Sequence, residues 1–228
     1  MESVETMKIT DKKELTKLVS YMVMGDGGLY INHDCKNAKF IMNMVAKNED
    51  YVRYCQSVLS NLTSTKVYYS TKEGNRQDQL RLETKTLPFF TKLHERIYTY
   101  KYKGIDPHIL KLLDWESLAI LYMSDGSMVK DTRTISPDSG IQVTLNMKRL
   151  SYGDLFILKK ALKDKLNLEW NINRQNQYYY LRLRSKDVDI FMEHVSKHVT
   201  NSFQYKIKSN FRVVNSTDKV DGEIVRSA

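Results

Sequence analysis

The sequence predicts an α+β fold in which one unit of helices and antiparallel strands is written twice along the chain. Three collinear repeats carry this expectation. The apolar run Val19–Gly27, ending Gly25-Asp26-Gly27, returns 99 residues later as Leu118–Gly126, ending Ser124-Asp125-Gly126. Leu80-Arg81-Leu82, followed by Lys85 and Phe90, returns 101 residues later as Leu181-Arg182-Leu183, followed by Lys186 and Phe191. Tyr102-Lys103 before Gly104-Ile105 returns 103 residues later as Tyr205-Lys206 before Ile207. One such pair arises by chance; three in the same order at nearly constant spacing mark a tandem duplication.

Apolar periodicity and chain breakers then place the elements. The first half reads as a helix over 11–24, strands over 27–34 and 38–45, a helix over 49–62, strands over 65–71 and 78–85, and a helix over 88–100. The second half reads as a helix over 115–124, strands over 127–131 and 140–147, a helix over 151–166, strands over 169–174 and 178–185, and a helix over 187–198. The domain expectation is therefore an N-terminal half, 1–100, a linker, 101–114, carrying Gly104 and Pro107, and a C-terminal half, 115–214. The polar remainder, 215–228, is expected to be a flexible tail.

Composition narrows the function classes. With 228 residues and 41% hydrophobic content, the chain is long enough for one large core or two small ones sharing an interface. Lys and Arg number 36 against 27 Asp and Glu, a formal charge of +9 that attracts polyanions through counterion release. Nucleic acid is the leading partner on that ground. Cys35 and Cys55 are the only cysteines, which suggests free thiols in a reducing compartment rather than a disulfide framework. No stretch approaches the ~18 uninterrupted apolar residues of a membrane span, and the N-terminus lacks the apolar core of a signal peptide. No membrane partner is expected, and an intracellular setting is: an organelle (mitochondrion or plastid), or a bacterial or phage-infected cytoplasm. His194 and His198 share a helix face, but Val195, Ser196 and Lys197 between them supply no Glu, so the metalloprotease pattern fails.

The strands and turns carry the chemistry. With Leu80 and Leu82 inward, Gln79, Arg81 and Lys85 face outward; with Leu181 and Leu183 inward, Tyr180, Arg182, Arg184 and Lys186 do the same. Gln142, Thr144 and Asn146 oppose Ile141, Val143 and Leu145 in the same way. Such outward faces match the donor and acceptor pattern of base edges and phosphates, although a charged outer face is also what any solvated sheet presents. Asp26 and Asp125 are each expected at the C-terminal end of a helix, where the macrodipole is already negative. A divalent cation removes that conflict, and with backbone carbonyls such as those of Gly25 and Ser124 it gains the oxygen ligands it prefers. If the two first helices pack side by side, both Asp arrive together, and two carboxylates sharing metal can bind scissile phosphates and activate water. Gly25 and Ser124 are small enough to permit that approach. Lys103 and Lys206, nominated by the repeat, are the candidates for stabilising transition-state charge.

These residues resemble a known family. Val19–Gly27 and Leu118–Gly126 are similar to the nine-residue signature of LAGLIDADG homing endonucleases. The string from Pro88 and Phe90 through Tyr98, Lys103, Ile105 and Pro107 to Leu118, Asp125 and Gly126 resembles the intron-encoded, two-motif monomeric branch. Tyr205-Lys206-Ile207 resembles its closing segment, so the likeness covers about residues 11–208. Tyr21 stands where a small residue is usual, and Met24 and Met123 stand where the signature has its first Asp. The resemblance implies a pseudo-symmetric αββαββα pair, packed through the two signature helices, whose sheets form a saddle over double-stranded DNA. It also implies Mg²⁺-dependent hydrolysis, with Mn²⁺ as a substitute, of both strands at a long asymmetric site, leaving short 3′ overhangs. Asp26 and Asp125 match the family's metal-binding acids, and Lys103 and Lys206 its active-site lysines. A non-cleaving maturase that binds host intron RNA, or a DNA-binding regulator on the same fold, are the alternatives that the sequence leaves open.

Overall fold

The computed structural model describes residues 8–71, 77–99, 102–130 and 140–207. Helix α1 (Lys12–Met24) opens on Asp11, whose carboxylate accepts the Lys13 amide at 2.8 Å. Strands β1 (Gly28–Tyr30) and β2 (Lys39–Val45), helix α2 (Glu49–Leu59), strands β3 (Thr65–Ser70) and β4 (Gln79–Thr84) and helix α3 (Pro88–Ile97) complete the first unit. A small hairpin, β5 (Tyr98–Thr99) with β6 (Tyr102–Lys103), and a single turn, α4 (Pro107–Leu110), lead into the repeat. There α5 (Trp115–Asp125), β7 (Gly126–Lys130), β8 (Ile141–Leu145), α6 (Tyr152–Leu166), β9 (Trp170–Gln175), β10 (Tyr178–Leu183) and α7 (Val188–Val195) follow the same order. Two 3-10 segments, Ser196–His198 and Asn201–Lys206, end the described chain.

The two four-stranded sheets have matching antiparallel orders, β1-β2-β4-β3 and β7-β8-β10-β9. Their registers match as well. Asn43 faces Arg81, which faces Tyr68, and Thr144 faces Arg182, which faces Asn171. The duplication therefore extends to individual rows across the sheets.

Three expectations need correction. The strand expected over 27–34 ends at Tyr30, because Asn32 to Cys35 close a turn in which the Cys35 amide reaches the Asn32 carbonyl at 2.9 Å. The helix expected over 88–100 ends at Ile97, where β-favouring Tyr98 and Thr99 turn extended and pair with Lys103 and Tyr102. The helix expected over 187–198 is α-helical only from Val188 to Val195, flanked by 3-10 turns. Residues 100, 101, 131 and 208–214 and the expected tail at 215–228 lie outside the described residues.

Helices α1 and α5 pack against each other at the middle of the molecule. Leu18, Val19, Tyr21, Met22 and Val23 on one, and Leu118 through Met123 on the other, are all buried, the all-round burial of a central helix. Tyr21 does not force the helices apart: its hydroxyl points to the Ile109 carbonyl of α4, at 3.4 Å. At the N-terminal end of the pair, the nearly buried ammonium of Lys17 gathers Glu14 at 2.6 Å, Glu116 at 3.5 Å and the Asp114 carboxylate. Burial alone would lower the Lys17 pKa, but its hydrogen bonds to Asp114 and Glu14 outweigh that and raise it. Asp114 also caps α5 in a reciprocal box with Ser117. One cation thus ties the starts of both central helices together.

Lys17→Met should lower stability by about 2–3 kcal/mol, somewhat less than for a fully buried pair because its three acids remain partly solvated. For a chain of this size that is a fall in Tm of roughly 4–12 °C by calorimetry. An unchanged or raised Tm would show that the cluster does not hold the helix pair.

Candidate active site

At the other end of the pair the Gly25 backbone lies against the Ser124 side chain. A Cβ built on Gly25 would lie 2.3 Å from the Ser124 Oγ, so only glycine lets α1 come this close to α5. The Ser124 hydroxyl donates to its own helix at Ile120 and accepts the Asp26 amide at 3.3 Å, a direct bond between the two repeats. The wholly buried Tyr51 lies close to the same Ser124 side chain. Asp26 and Asp125 consequently line one small cleft, of about 40 Å³, together with Lys103 and Arg149.

The repeats end their central helices differently. α1 stops at Met24, whereas α5 continues through Asp125. The two lysines accordingly grip different carbonyls. Lys103 Nζ donates to Gly25 at 2.9 Å and Gly27 at 2.6 Å, on either side of Asp26. Lys206 Nζ donates to Met123 at 2.6 Å and Tyr122 at 3.3 Å, before Asp125, while the Tyr122 hydroxyl donates to the Lys206 carbonyl at 2.8 Å. Both ammonium groups thus sit on the negative ends of helix dipoles, where cations are favoured. Of the carbonyls expected to serve a metal, that of Gly25 is engaged by Lys103.

The electrostatics follow from crowding like charges in a partly dry cleft. Burial, followed by the neighbouring Asp26 charge, pushes Asp125 up to about 6, against the pull of Lys103, Arg149 and Lys206. Asp26 keeps solvent contact at the cleft mouth, yet the protein around it also raises its pKa, with Lys206 and Lys103 opposing. Lys103 is lowered to about 8, by burial and then by Arg149, and Lys206 is lowered by burial.

Arg149 escapes sequence reasoning. It follows β8 in a turn that crosses to the other half's lysine, and it lines both the acid cleft and an adjoining open groove of about 520 Å³ bordered by Tyr30, Tyr98 and Tyr102. In the register of the repeat its counterpart is Asn48, a buried residue, so this third cation has no equivalent in the other repeat. A basic pair, Lys148-Arg149, does not stand out in a chain with 36 basic residues.

The outward residues divide into two groups. Gln79, Arg81, Gln142, Asn146, Tyr180 and Arg182 lie on or beside the paired strands, away from the buried Leu80, Leu82, Val143, Leu145, Leu181 and Leu183. Arg81 is paired with Glu83, and Asn146 bonds Thr144 and Ser127 at 3.1 and 3.2 Å. Lys85, Arg184 and Lys186 lie just past the strand ends rather than within them; Arg184 and Lys186 sit with Glu169 at 2.5 and 3.3 Å. Such exposed pairs contribute little and leave these cations available to an anion. The registers add Asn43, Tyr68 and Asn171 to the same rows, positions that the repeat alone did not nominate.

The raised acid predicts a stability effect whose sign can be checked. Ionised Asp125 is disfavoured in the folded chain, so its cost is absent below about pH 3.8 and complete above about pH 6. In metal-free buffer, Asp125→Asn should therefore raise Tm at pH 7–8, by roughly 2–8 °C for about 1–2 kcal/mol after solvent screening. That gain should vanish near pH 4; a variant less stable than the parent at pH 8 would contradict the crowding of charge.

Comparison with known proteins agrees with this geometry. The model of the LAGLIDADG DNA endonuclease family matches residues 19–191. A protein of Wickerhamomyces canadensis named "Probable intron-encoded endonuclease 1" is 24% identical over 202 residues, covering 86% of this chain and 86% of its own. The structure of the homing endonuclease I-WcaI bound to its DNA recognition sequence aligns with a TM-score of 0.73 at 20% identity, covering 91% of this chain and 92% of that one. An I-DmoI variant in complex with its target DNA in the presence of Mg aligns with a TM-score of 0.52 at 16% identity, covering 81% and 96%. Both structures share this chain's fold. With the family match spanning both acid-bearing helix ends and both sheets, the chain belongs to the LAGLIDADG DNA endonuclease family.

Proposed function

We propose that the chain is a monomeric, site-specific homing endonuclease that makes a metal-dependent double-strand break with short 3′ overhangs at a long asymmetric DNA site. The observation that carries this reading is the meeting of Asp26 and Asp125, one from each repeat, in a single cleft with Lys103 and Arg149, and with Lys206 acting on both acids. A pure DNA binder gains nothing from two carboxylates held where phosphate must come. In this reading, residues 1–100 and 115–214 are the two DNA-reading halves, joined by 101–114.

The donor set suits a hard divalent cation. Among the described residues no group of three or more His, Cys, Asp or Glu side chains is gathered to hold a metal. Two carboxylates at helix ends, with a backbone carbonyl such as that of Ser124, instead match the habit of Mg²⁺, which is commonly held by one or two carboxylates plus phosphate and water. The raised acids support the same assignment, since a cation between them relieves the repulsion. The I-DmoI relatives were captured with Mg and Mn in the presence of target DNA. When bound, the ion supplies charge neutralisation and a more acidic water.

The chain's own groups do the rest. Lys103 and Lys206, fixed by paired carbonyls, present ammonium hydrogens to the non-bridging oxygens of each scissile phosphate and orient the attacking water. Lys103, with a pKa near 8, can also exchange a proton near neutral pH. Arg149 adds charge on the Lys103 side. Gln79, Arg81, Lys85, Gln142, Asn146, Tyr180, Arg182, Arg184 and Lys186 contact base edges and phosphates along the two halves of the site.

Either Asp26→Asn or Asp125→Asn should reduce double-strand cleavage by at least about 100-fold while target affinity stays within a few fold, measured by plasmid cleavage and by electrophoretic shift. Loss of binding in step with cleavage would assign the acids a structural role. Full binding by the parent chain without any cut would favour a regulator or an RNA-binding splicing cofactor.

A further inference from the structure

We infer that Asp50 and Asp154 are reciprocal positioning residues, each holding the backbone that carries the other repeat's lysine; this rests on the nuclease reading above. Asp50 lies in the first turn of α2, in the N-terminal repeat, and its Oδ2 accepts the amide of Ser202 at 2.8 Å. Ser202 belongs to the short 3-10 segment Asn201–Lys206, so this bond anchors the piece of chain that delivers Lys206. Asp154 lies in the first turn of α6, in the C-terminal repeat, and its Oδ1 accepts the amide of Ile105 at 3.2 Å, two residues past Lys103. Each acid sits at a helix start, where the macrodipole favours negative charge, so each is a stable acceptor for a chain arriving from outside.

The exchange is crossed. Lys103 grips carbonyls of its own repeat, at Gly25 and Gly27, but the segment bearing it is tethered to the other repeat by Asp154. Lys206 grips Tyr122 and Met123 of its own repeat, but its segment is tethered to the first by Asp50. Packing reinforces the second tether. Tyr51, next to Asp50, meets Phe203 edge to face at 5.5 Å. The two tethers are not copies in detail: Asp50 Oδ1 accepts the adjacent Tyr51 amide, whereas Asp154 Oδ2 closes a capping box with Ser151. Neither acid touches the cleft, so each acts through the lysine segment it holds. Neither repeat alone completes its lysine site, and each strand's cleavage depends on contacts made by both.

The test uses the full chain and a duplex carrying its cleavage site, labelled separately on each strand, with single-turnover rates at saturating protein. Asp50→Ala should slow by at least about tenfold the strand that Lys206→Ala slows, and Asp154→Ala the strand that Lys103→Ala slows, with DNA affinity unchanged. Each acid variant should add little to the matching lysine variant, the signature of two residues acting as one unit. Ser151→Ala, which removes the capping partner but leaves the Ile105 bond, should keep the parental ratio of the two rates. Asp50→Asn, retaining an oxygen acceptor, should recover most of the lost rate. Equal slowing of both strands, or slowing of the strand opposite to that of the matching lysine, would overturn the assignment. Hydrogen exchange on the DNA-free protein reads the tethers whether or not the parent cuts. Asp50→Ala should lose protection at Asn201–Lys206 alone and Asp154→Ala at residues 103–106 alone, and unchanged protection in both would overturn it.

Discussion

Where α1 passes α5, there is room between the repeats for a hydrogen atom on residue 25 and for nothing larger, and the geometry of the site depends on that approach. The Gly25 backbone against the Ser124 side chain brings the Asp26 amide onto the Ser124 hydroxyl, and this places two carboxylates, one from each repeat, in one cleft. The lysines are set by the same crossing, because each ammonium is held by carbonyls at the helix ends that the crossing brings together. Lys17, with its three acids, fixes the far end of the helix pair, so the angle between the helices is constrained at both extremities.

Such an arrangement is costly in the absence of a ligand. Two acids with raised pKa values face two lysines with lowered ones, the pattern of a site preorganised for an external charge rather than satisfied by its own. The surrounding fold sustains that tension through the buried faces of α1 and α5 and through the sheets that cover them, at the usual expense of stability at a functional site. The pseudo-symmetry is incomplete where it bears on chemistry. α1 ends two residues short of α5 in the repeat's alignment, Lys103 and Lys206 hold different carbonyls, and Arg149 has Asn48 as its counterpart. Two similar halves therefore form a centre whose sides are chemically distinct, which suits an asymmetric target.

Much of this was legible in the residues. The three collinear repeats gave the two halves their shared succession of helices and strands, and the two Asp-Gly steps marked the ends of the central helices. Alternation along Leu80-Arg81-Leu82 and Leu181-Arg182-Leu183 assigned the faces of β4 and β10 correctly. What remained hidden depends on contacts between segments far apart in sequence. Tyr98 and Thr99 continue an apolar helical pattern, and only their pairing with Lys103 and Tyr102 makes them a hairpin. Arg149, Asp50 and Asp154 are ordinary charged residues at turns and helix starts, and their significance comes from the chain that lies against them. Tyr21 stands where a small residue is usual, and only the fold shows its hydroxyl turned to the Ile109 carbonyl of α4.

The central claim is that the paired acids make one cutting centre for both DNA strands. The most direct measurement is incubation of the purified chain with a randomised duplex library in Mg²⁺, followed by sequencing of every end produced. The account predicts discrete double-strand breaks at one long site, with short 3′ overhangs, that disappear in EDTA. Tight, sequence-specific binding with no new ends in Mg²⁺ or Mn²⁺ would contradict it.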